Sequence, residues 1–196
     1  MLIVYTGPMF SEKTTALVRE CRRAERARKR VISFKYDDRR YSHDHITSHD
    51  AQKIPAVAVR DSTQMLEELQ RLGPADVILV DEAQFFDEGI VPLLNWLARH
   101  HRVVVAGLDL DRFGQPFGPM PALLATADEI HKLKAVCSIC GDEAWISAAT
   151  EHNTSRAQVE IGGADKYTAV CRRCSGVYRH GPRADLGVPE AEAGDD

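Results

Sequence analysis

Two short segments carry residue types that could bind and transfer a phosphate group. The first, GPMFSEKTT at residues 7–15, approaches the phosphate-loop pattern G-x-x-x-x-G-K-[ST]. In that pattern main-chain N–H groups surround anionic oxygens, while the lysine and the hydroxyl residue contact phosphate and Mg²⁺. Lys13 and Thr14 occupy those two places, but Glu12 stands where the second glycine belongs. The predicted loop comprises Gly7, Pro8, Met9, Phe10, Ser11, Glu12, Lys13, Thr14 and Thr15.

The second segment, ILVDEAQFF, ends an apolar run with two carboxylates, Asp81 and Glu82. Phosphate-loop enzymes keep a Mg²⁺-ordering Asp at the carboxyl end of such a strand. Because Mg²⁺ uses only one or two protein carboxylates, Glu82 is free to act as a general base. The alternative interpretation is that both residues merely cap the following helix. The two segments, taken together and in this order, favour a nucleotide site.

Four of the five cysteines form two C-x-x-C pairs, Cys137 with Cys140 and Cys171 with Cys174. In a cytosolic chain such pairs indicate zinc ligands, and four thiolates make a closed tetrahedral site without room for a catalytic water. We therefore expect a structural zinc ion. A redox dithiol and a nucleic-acid-binding ribbon are the alternatives. Cys21, inside a predicted helix, is interpreted as a small apolar residue.

The elements that must position these groups alternate along the first two thirds of the chain. Apolar runs predict strands at 2–6, 31–36, 56–60, 76–86 and 102–111, with the carboxylate pair ending the fourth. Helical periodicity covers 14–30, 62–73 and 89–101, whereas the polar stretch 37–50 predicts a loop. Such alternation is typical of a three-layer α/β/α fold with a mainly parallel sheet.

The pattern changes near residue 132, which predicts three parts. Residues 1–132 form a nucleotide-binding α/β domain, and residues 133–180 a small zinc-ribbon-like domain whose cysteine pairs flank a long loop. Residues 181–196 are acidic and lack aromatic side chains, which predicts a disordered tail.

Composition excludes several classes of protein. The 196 residues are 44% hydrophobic and 28% charged, an ordinary globular balance. No apolar run approaches the ~20 residues of a membrane helix, and the first residues lack a basic secretory start. A net charge of −4 argues against general nucleic-acid binding. We expect a cytoplasmic protein without a membrane or nucleic-acid partner.

Six motifs in combination resemble one family, the small zinc-containing thymidine kinases of the phosphate-loop type. They are GPMFSxKTT, RYS followed by SHD, DEAQFF, PFG, KLxAVC and GGADKYxxVCRxC, spread from Leu2 to about Tyr178. The resemblance implies ATP-dependent phosphorylation of deoxythymidine to dTMP, with Mg²⁺ accompanying ATP and Zn²⁺ serving structure. It also implies a cytoplasmic homotetramer inhibited by dTTP.

The resemblance also implies roles for individual residues. Glu82 would take the proton from the 5′-hydroxyl, Lys13 would hold the phosphates, and Thr14, Asp81 and Asp38 would surround Mg²⁺, with Asp37 an alternative to Asp38. The insert between the cysteine pairs resembles the family's lasso, which closes over the nucleoside and reads the thymine edge through main-chain groups. The implied nucleoside contacts are Met9, Arg40, Phe85, Leu108, Phe113, Phe117, Gly162, Gly163, Ala164, Asp165 and Tyr167.

Glu12 is the departure from the family pattern. Glycine at this place accepts a positive φ and lets a phosphate approach closely. If the Glu12 side chain faces solvent or pairs with an arginine, the loop still binds ATP. If it faces the phosphates, the protein is an impaired, kinase-like module that only binds a nucleoside or nucleotide. The joint presence of Lys13, Asp81 and Glu82 favours the first outcome.

Overall fold

The computed structural model describes residues 1–37, 45–47, 51–150 and 166–175. Several residues named above lie outside this described part of the chain. They are Asp38, Arg40, Gly162, Gly163, Ala164, Asp165 and the acidic tail at 181–196.

A six-stranded parallel sheet forms the centre of the molecule. The strands up to residue 132 are β1 Leu2–Thr6, β2 Val31–Tyr36, β3 His45–Thr47, β4 Lys53–Pro55, β5 Val57–Val59, β6 Val77–Asp81, β7 Arg102–Gly107 and β8 Glu129–Lys132. The sheet order is β5-β2-β6-β7-β1-β8, while β3 and β4 pair as a separate antiparallel hairpin. Every residue of β1 and β6 is buried, as expected of continuous apolar runs in a covered parallel sheet.

Helices cover both faces of the sheet. Helix α1, Lys13–Arg26, packs one face through Leu17 and Cys21. The other face carries α2 Ser62–Leu72, α3 Ile90–Ala98 and α4 Met120–Thr126. Their fully buried contacts with that face include Met65, Ile90, Leu94, Met120 and Leu123. The predicted three-layer α/β/α fold is therefore confirmed, and Cys21 lies in the core as expected.

The four cysteines belong to a small β-structured unit that follows the sheet. Strand β9, Ala135–Val136, pairs with β10, Glu143–Ala144, and strand β11, Ile146–Ala149, pairs with β12, Tyr167–Val170. Small side chains dominate its core, which is built mainly around Ala144, Ile146 and Val170. We call residues 133–150 and 166–175 the cysteine unit. A core this small usually needs a disulfide or a metal to hold it.

Three features differ from the sequence-based expectation. Residues 45–47 form a strand within the stretch predicted as a loop, because Ile46 and Ile54 of the hairpin bury themselves beside α1. Helix α4 and edge strand β8 were not predicted; β8 alternates half-buried and exposed residues over only four positions.

Among the described residues, no helix has the length and apolar content needed to cross a bilayer.

Candidate active site

The phosphate loop connects the end of β1 to the start of α1. Gly7 has φ 142°, and a Cβ built on it would lie 2.3 Å from the carbonyl oxygen of Leu133. The same Leu133 donates its N–H to Thr6 O at 2.7 Å. Glycine at position 7 therefore has a steric reason, because the first residue of the cysteine unit lies directly against the loop.

Glu12 adopts the backbone conformation that favours glycine. Its φ is 63° and its ψ 25°, in the left-handed region, and it immediately precedes α1. Its carbonyl accepts the N–H of Ala16, while the residue as a whole is exposed. The direction of the Glu12 carboxylate relative to a bound phosphate stays a prediction. Phe10, two residues earlier, has φ 64° as well.

Lys13 is the cationic group of the loop. Its Nζ donates to Pro8 O at 2.6 Å and lies 3.5 Å from Ser11 Oγ. Burial lowers the pKa of Lys13, and the carboxylates of Glu82, Asp81 and Asp109 oppose that change. The ammonium group is thus held inside the loop, where an anionic ligand would be stabilised.

Asp81 ends β6 close to Thr14. Thr14 Oγ1 donates to Asp81 Oδ2 at 3.4 Å, and the N–H of Glu82 donates to Asp81 Oδ1 at 3.0 Å. Burial, and next the charge of Glu82, raise the pKa of Asp81 to about 7. A buried carboxylate beside a hydroxyl and a second carboxylate is a donor set that suits Mg²⁺, since a divalent cation would stabilise its ionised form.

Glu82 lies just beyond β6 in a strained conformation. Its φ is 56° and its ψ 42°, a left-handed backbone that few non-glycine residues adopt. The residue precedes a short 3-10 helix, Ala83–Phe85, but its side chain makes no capping hydrogen bond there. The side chain of Glu82 therefore does not cap this helix, and the residue as a whole is exposed.

Gln84 is a site residue that the sequence interpretation missed. Its Nε2 donates to Glu82 Oε2 at 2.6 Å, and its Oε1 accepts the N–H of Leu108 at 3.0 Å. The only available signal was its position in DEAQFF, two residues after the candidate base, where a polar residue interrupts an otherwise apolar continuation.

Aromatic side chains form a cluster near this edge of the sheet. The Phe85 and Phe117 rings meet edge to face with centroids 5.6 Å apart, and Tyr36, not predicted, lies 5.5 Å from Phe85. The Phe113 ring is 46% exposed and lies 4.9 Å from the Arg112 guanidinium carbon. The structure thus brings Phe85 and Phe117 together, and the main-chain N–H of Leu108 is bonded to Gln84, the residue before Phe85.

The cysteine unit also approaches the phosphate loop. Met9 donates its N–H to Ser147 Oγ of β11 at 2.8 Å, and Tyr167 of the paired strand β12 is buried opposite Ala149. Two predicted nucleoside contacts are therefore linked to the same pair of strands, Met9 by a hydrogen bond to β11 and Tyr167 as a residue of β12.

Asp37, the alternative to Asp38, follows β2 next to the end of β6. Its carboxylate pairs with Arg60 Nε at 3.3 Å, and its N–H donates to Val59 O. The competing residue, Asp38, falls outside the described residues.

The four cysteines of the two C-x-x-C pairs converge. All their sulfur atoms lie within 4.8 Å of one another, and Cys140 Sγ is 3.7 Å from Cys171 Sγ. Zn–S bonds of about 2.3 Å in a tetrahedron place sulfurs about 3.8 Å apart, so the set fits a zinc ion. Burial opposes ionisation of Cys137, but N–H groups of Cys171, Cys140 and Ile139 outweigh it and lower its pKa to about 6. Such a thiol is ready to bind a metal.

Comparison with known proteins gives consistent matches over almost the whole chain. A family model described as thymidine kinase matches residues 1–175. A thymidine kinase of Bacteroides thetaiotaomicron is 43% identical over 173 residues, 87% of this chain and 84% of that protein. One from Bacteroides fragilis is 44% identical over the same shares of each chain. One from Rhodothermus sp. is 41% identical over 192 residues, 97% of this chain and 88% of that protein.

Proposed function

The chain belongs to the thymidine kinase family, and we propose that it transfers the γ-phosphoryl group of ATP to the 5′-hydroxyl of deoxythymidine, giving dTMP and ADP. One observation carries the proposal. Lys13 and Thr14 of the phosphate loop converge with Asp81 and Glu82 at the carboxyl edge of the parallel sheet. That edge is where α/β proteins bind nucleotides.

The phosphate loop would hold the triphosphate. The left-handed conformations at Phe10 and Glu12 support a turn of main-chain N–H groups around an anion. The Lys13 ammonium would exchange its present acceptor, Pro8 O, for phosphate oxygens. Thr14 and Asp81, with Asp38 from the part of the chain not described, would hold the Mg²⁺ that accompanies ATP. Bound there, Mg²⁺ would neutralise charge on the β- and γ-phosphates.

Glu82 would act as the general base. Its exposed carboxylate follows β6 and is one residue from the proposed Mg²⁺ ligand. As the 5′-oxygen attacks the γ-phosphorus in line, the O–H proton passes to a Glu82 carboxylate oxygen. The new O–P bond forms while the bond from phosphorus to the ADP oxygen breaks. The proton then leaves to solvent.

The nucleoside would bind beside the aromatic cluster. The thymine ring and its methyl group would find apolar contacts with Phe85, Phe117, Leu108 and Met9. Phe113 and Tyr167 would line the rest of this pocket. Arg40 and residues 162–165, outside the described residues, would supply polar contacts to the sugar and the base edge. Rejection of other bases would come from main-chain polar groups left unpaired.

Zinc would be structural. The four sulfurs would leave no position for a water molecule in a tetrahedral site, and through the metal they would hold together the short strands β9–β12. We further propose that residues 1–132 and 133–180 are the two functional domains, and that the protein is a cytoplasmic homotetramer inhibited by dTTP. The family resemblance supports these last points, and sedimentation with and without dTTP tests the assembly.

A second candidate function is a nucleotide-binding module without turnover, which Glu12 favours. A coupled ADP-release assay on zinc-loaded protein separates the two. We expect ADP release that depends on thymidine and is not elicited by deoxyadenosine. Binding of thymidine without thymidine-dependent ADP release would instead support the module.

A further inference from the structure

Gln84 is a buried polar residue between the candidate base and the loop that follows β7. The residue is 2% exposed. Its amide nitrogen donates to Glu82 Oε2, and its amide oxygen accepts the N–H of Leu108. The amide nitrogen and the amide oxygen of Gln84 are thus both hydrogen-bonded, and their partners belong to two different segments of the proposed site.

The surroundings leave Gln84 little room to move. A Cβ built on Gly118 would lie 2.3 Å from the main-chain oxygen of Gln84, and one built on Gly107 would lie 3.0 Å from its Oε1. The start and the end of the loop 107–118 therefore both pack against this residue. A side chain held in this way can fix the position of what it binds.

Glu82, in contrast, is exposed and has a long side chain with several rotamers. A general base must lie within hydrogen-bond reach of the proton that it accepts. The bond from Gln84 occupies Oε2, and within the described residues Oε1 accepts no hydrogen bond and can face a substrate hydroxyl. The bond to Leu108 ties this arrangement to the loop that carries Leu108 and Phe117.

We propose that Gln84 is a positioning residue, which holds the Glu82 carboxylate in a fixed relation to the nucleoside-binding loop 107–118. The inference rests on the proposed kinase function and adds to it the group that orients the base. Gln84 does not contact the reacting atoms in this account and acts only through Glu82.

The test is a double-mutant cycle with Gln84→Met, which keeps the length of the side chain and removes both hydrogen bonds. We expect kcat for dTMP formation to fall about 10- to 100-fold, with the calorimetric Kd for thymidine changed less than about threefold. The slow transfer by Glu82→Ala protein can be measured with radiolabelled substrate. In that protein Gln84→Met should lower kcat by less than about twofold, because the carboxylate that Gln84 positions is absent.

Gln70→Met, at an exposed position of α2, is the matched control and should leave both quantities unchanged. If Gln84→Met does not fold, Gln84→Glu keeps the shape and an acceptor for Leu108 but loses the amide donor, and it should show the same loss of kcat. Unchanged kcat, or equal losses with and without Glu82, would overturn the positioning role. Wild-type protein without thymidine-dependent turnover would instead overturn the proposed function.

Discussion

The main-chain N–H of Met9 in the phosphate loop donates a 2.8 Å hydrogen bond to Ser147 Oγ in the cysteine unit. Ser147 is 4% exposed, and the neighbouring Phe10 packs against the small core of that unit. Gly7 touches Leu133 at the start of the same unit. The phosphate loop therefore contacts the cysteine unit through Gly7, Met9 and Phe10.

Ser147→Ala should weaken this connection. The substitution leaves the Met9 N–H without its acceptor, which should lower the free energy of unfolding by about 1 to 2 kcal/mol. We also expect ATP to bind severalfold more weakly, since the loop is no longer held in place. Thermal unfolding and calorimetric titration measure the two effects. Ser138→Ala, at an exposed serine of the same unit, is the control, and equal results for both variants would contradict the prediction.

Removal of zinc should act on the phosphate loop as well as on the cysteine unit. Elemental analysis should find one zinc per chain, and Cys174→Ser should lose it. That variant should melt at a lower temperature and bind ATP more weakly, because the strand carrying Ser147 loosens. Cys21→Ala, in helix α1, should keep its zinc. Undiminished ATP affinity in zinc-free protein would contradict the proposed coupling.

Glu12 combines a strained backbone with a charge, and two substitutions separate them. Glu12→Gly should stabilise the protein by about 0.5 to 1 kcal/mol, since glycine adopts φ 63° without the Cβ penalty. Glu12→Ala keeps the Cβ and its strain and removes the charged carboxylate. Because Glu12 is exposed, this variant should change the KM for ATP by less than about threefold. A much larger gain in ATP affinity for Glu12→Ala would mean that the carboxylate faces the phosphates.

Asp81 should make stability depend on pH in protein free of Mg²⁺ and nucleotide. Burial raises its folded-state pKa from 3.8 to about 7, so between these values the folded state binds more protons than the unfolded state. Stability attributable to this group should therefore fall as pH rises through that window. Asp81→Asn should raise the melting temperature near about pH 8 and have little effect near about pH 4.

Asp87 is a control for that measurement, because its pKa is changed in the opposite direction from that of Asp81. Burial works against its ionisation, but hydrogen bonds from the Ser62 N–H and hydroxyl and from the Gly89 N–H outweigh burial and lower its pKa. Asp87→Asn should therefore destabilise the protein near about pH 8. If both variants change stability in the same direction, the pH dependence does not arise from the environments of these two groups.

Much of the fold could be predicted from local patterns. The strands around Val4 and Leu79 are continuous apolar runs buried on both faces, and helices α1 to α3 show clear periodicity. Strand β8 could not be predicted because an edge strand of four half-exposed residues has no distinctive pattern. The hairpin containing Ile46 depends on a tertiary contact with α1, which no local window contains.

The candidate site was predictable where single residue types carry the chemistry. Lys13, Asp81, Glu82 and the cysteine pairs follow spacings that chemistry requires. Gln84, Ser147 and Tyr36 were missed because their importance comes from partners distant in the chain, such as Leu108 and Met9. A buried hydrogen bond between remote segments leaves no signature in the residues that make it.

The central claim is that Glu82 accepts the substrate proton in phosphoryl transfer to thymidine, and single-turnover formation of dTMP from ATP by wild-type protein and Glu82→Gln tests it. Glutamine keeps the shape and removes the base, so we expect comparable thymidine affinity and a transfer rate lower by about 100-fold or more. Transfer by Glu82→Gln at the wild-type rate, or no dTMP from the wild-type protein, would contradict the account.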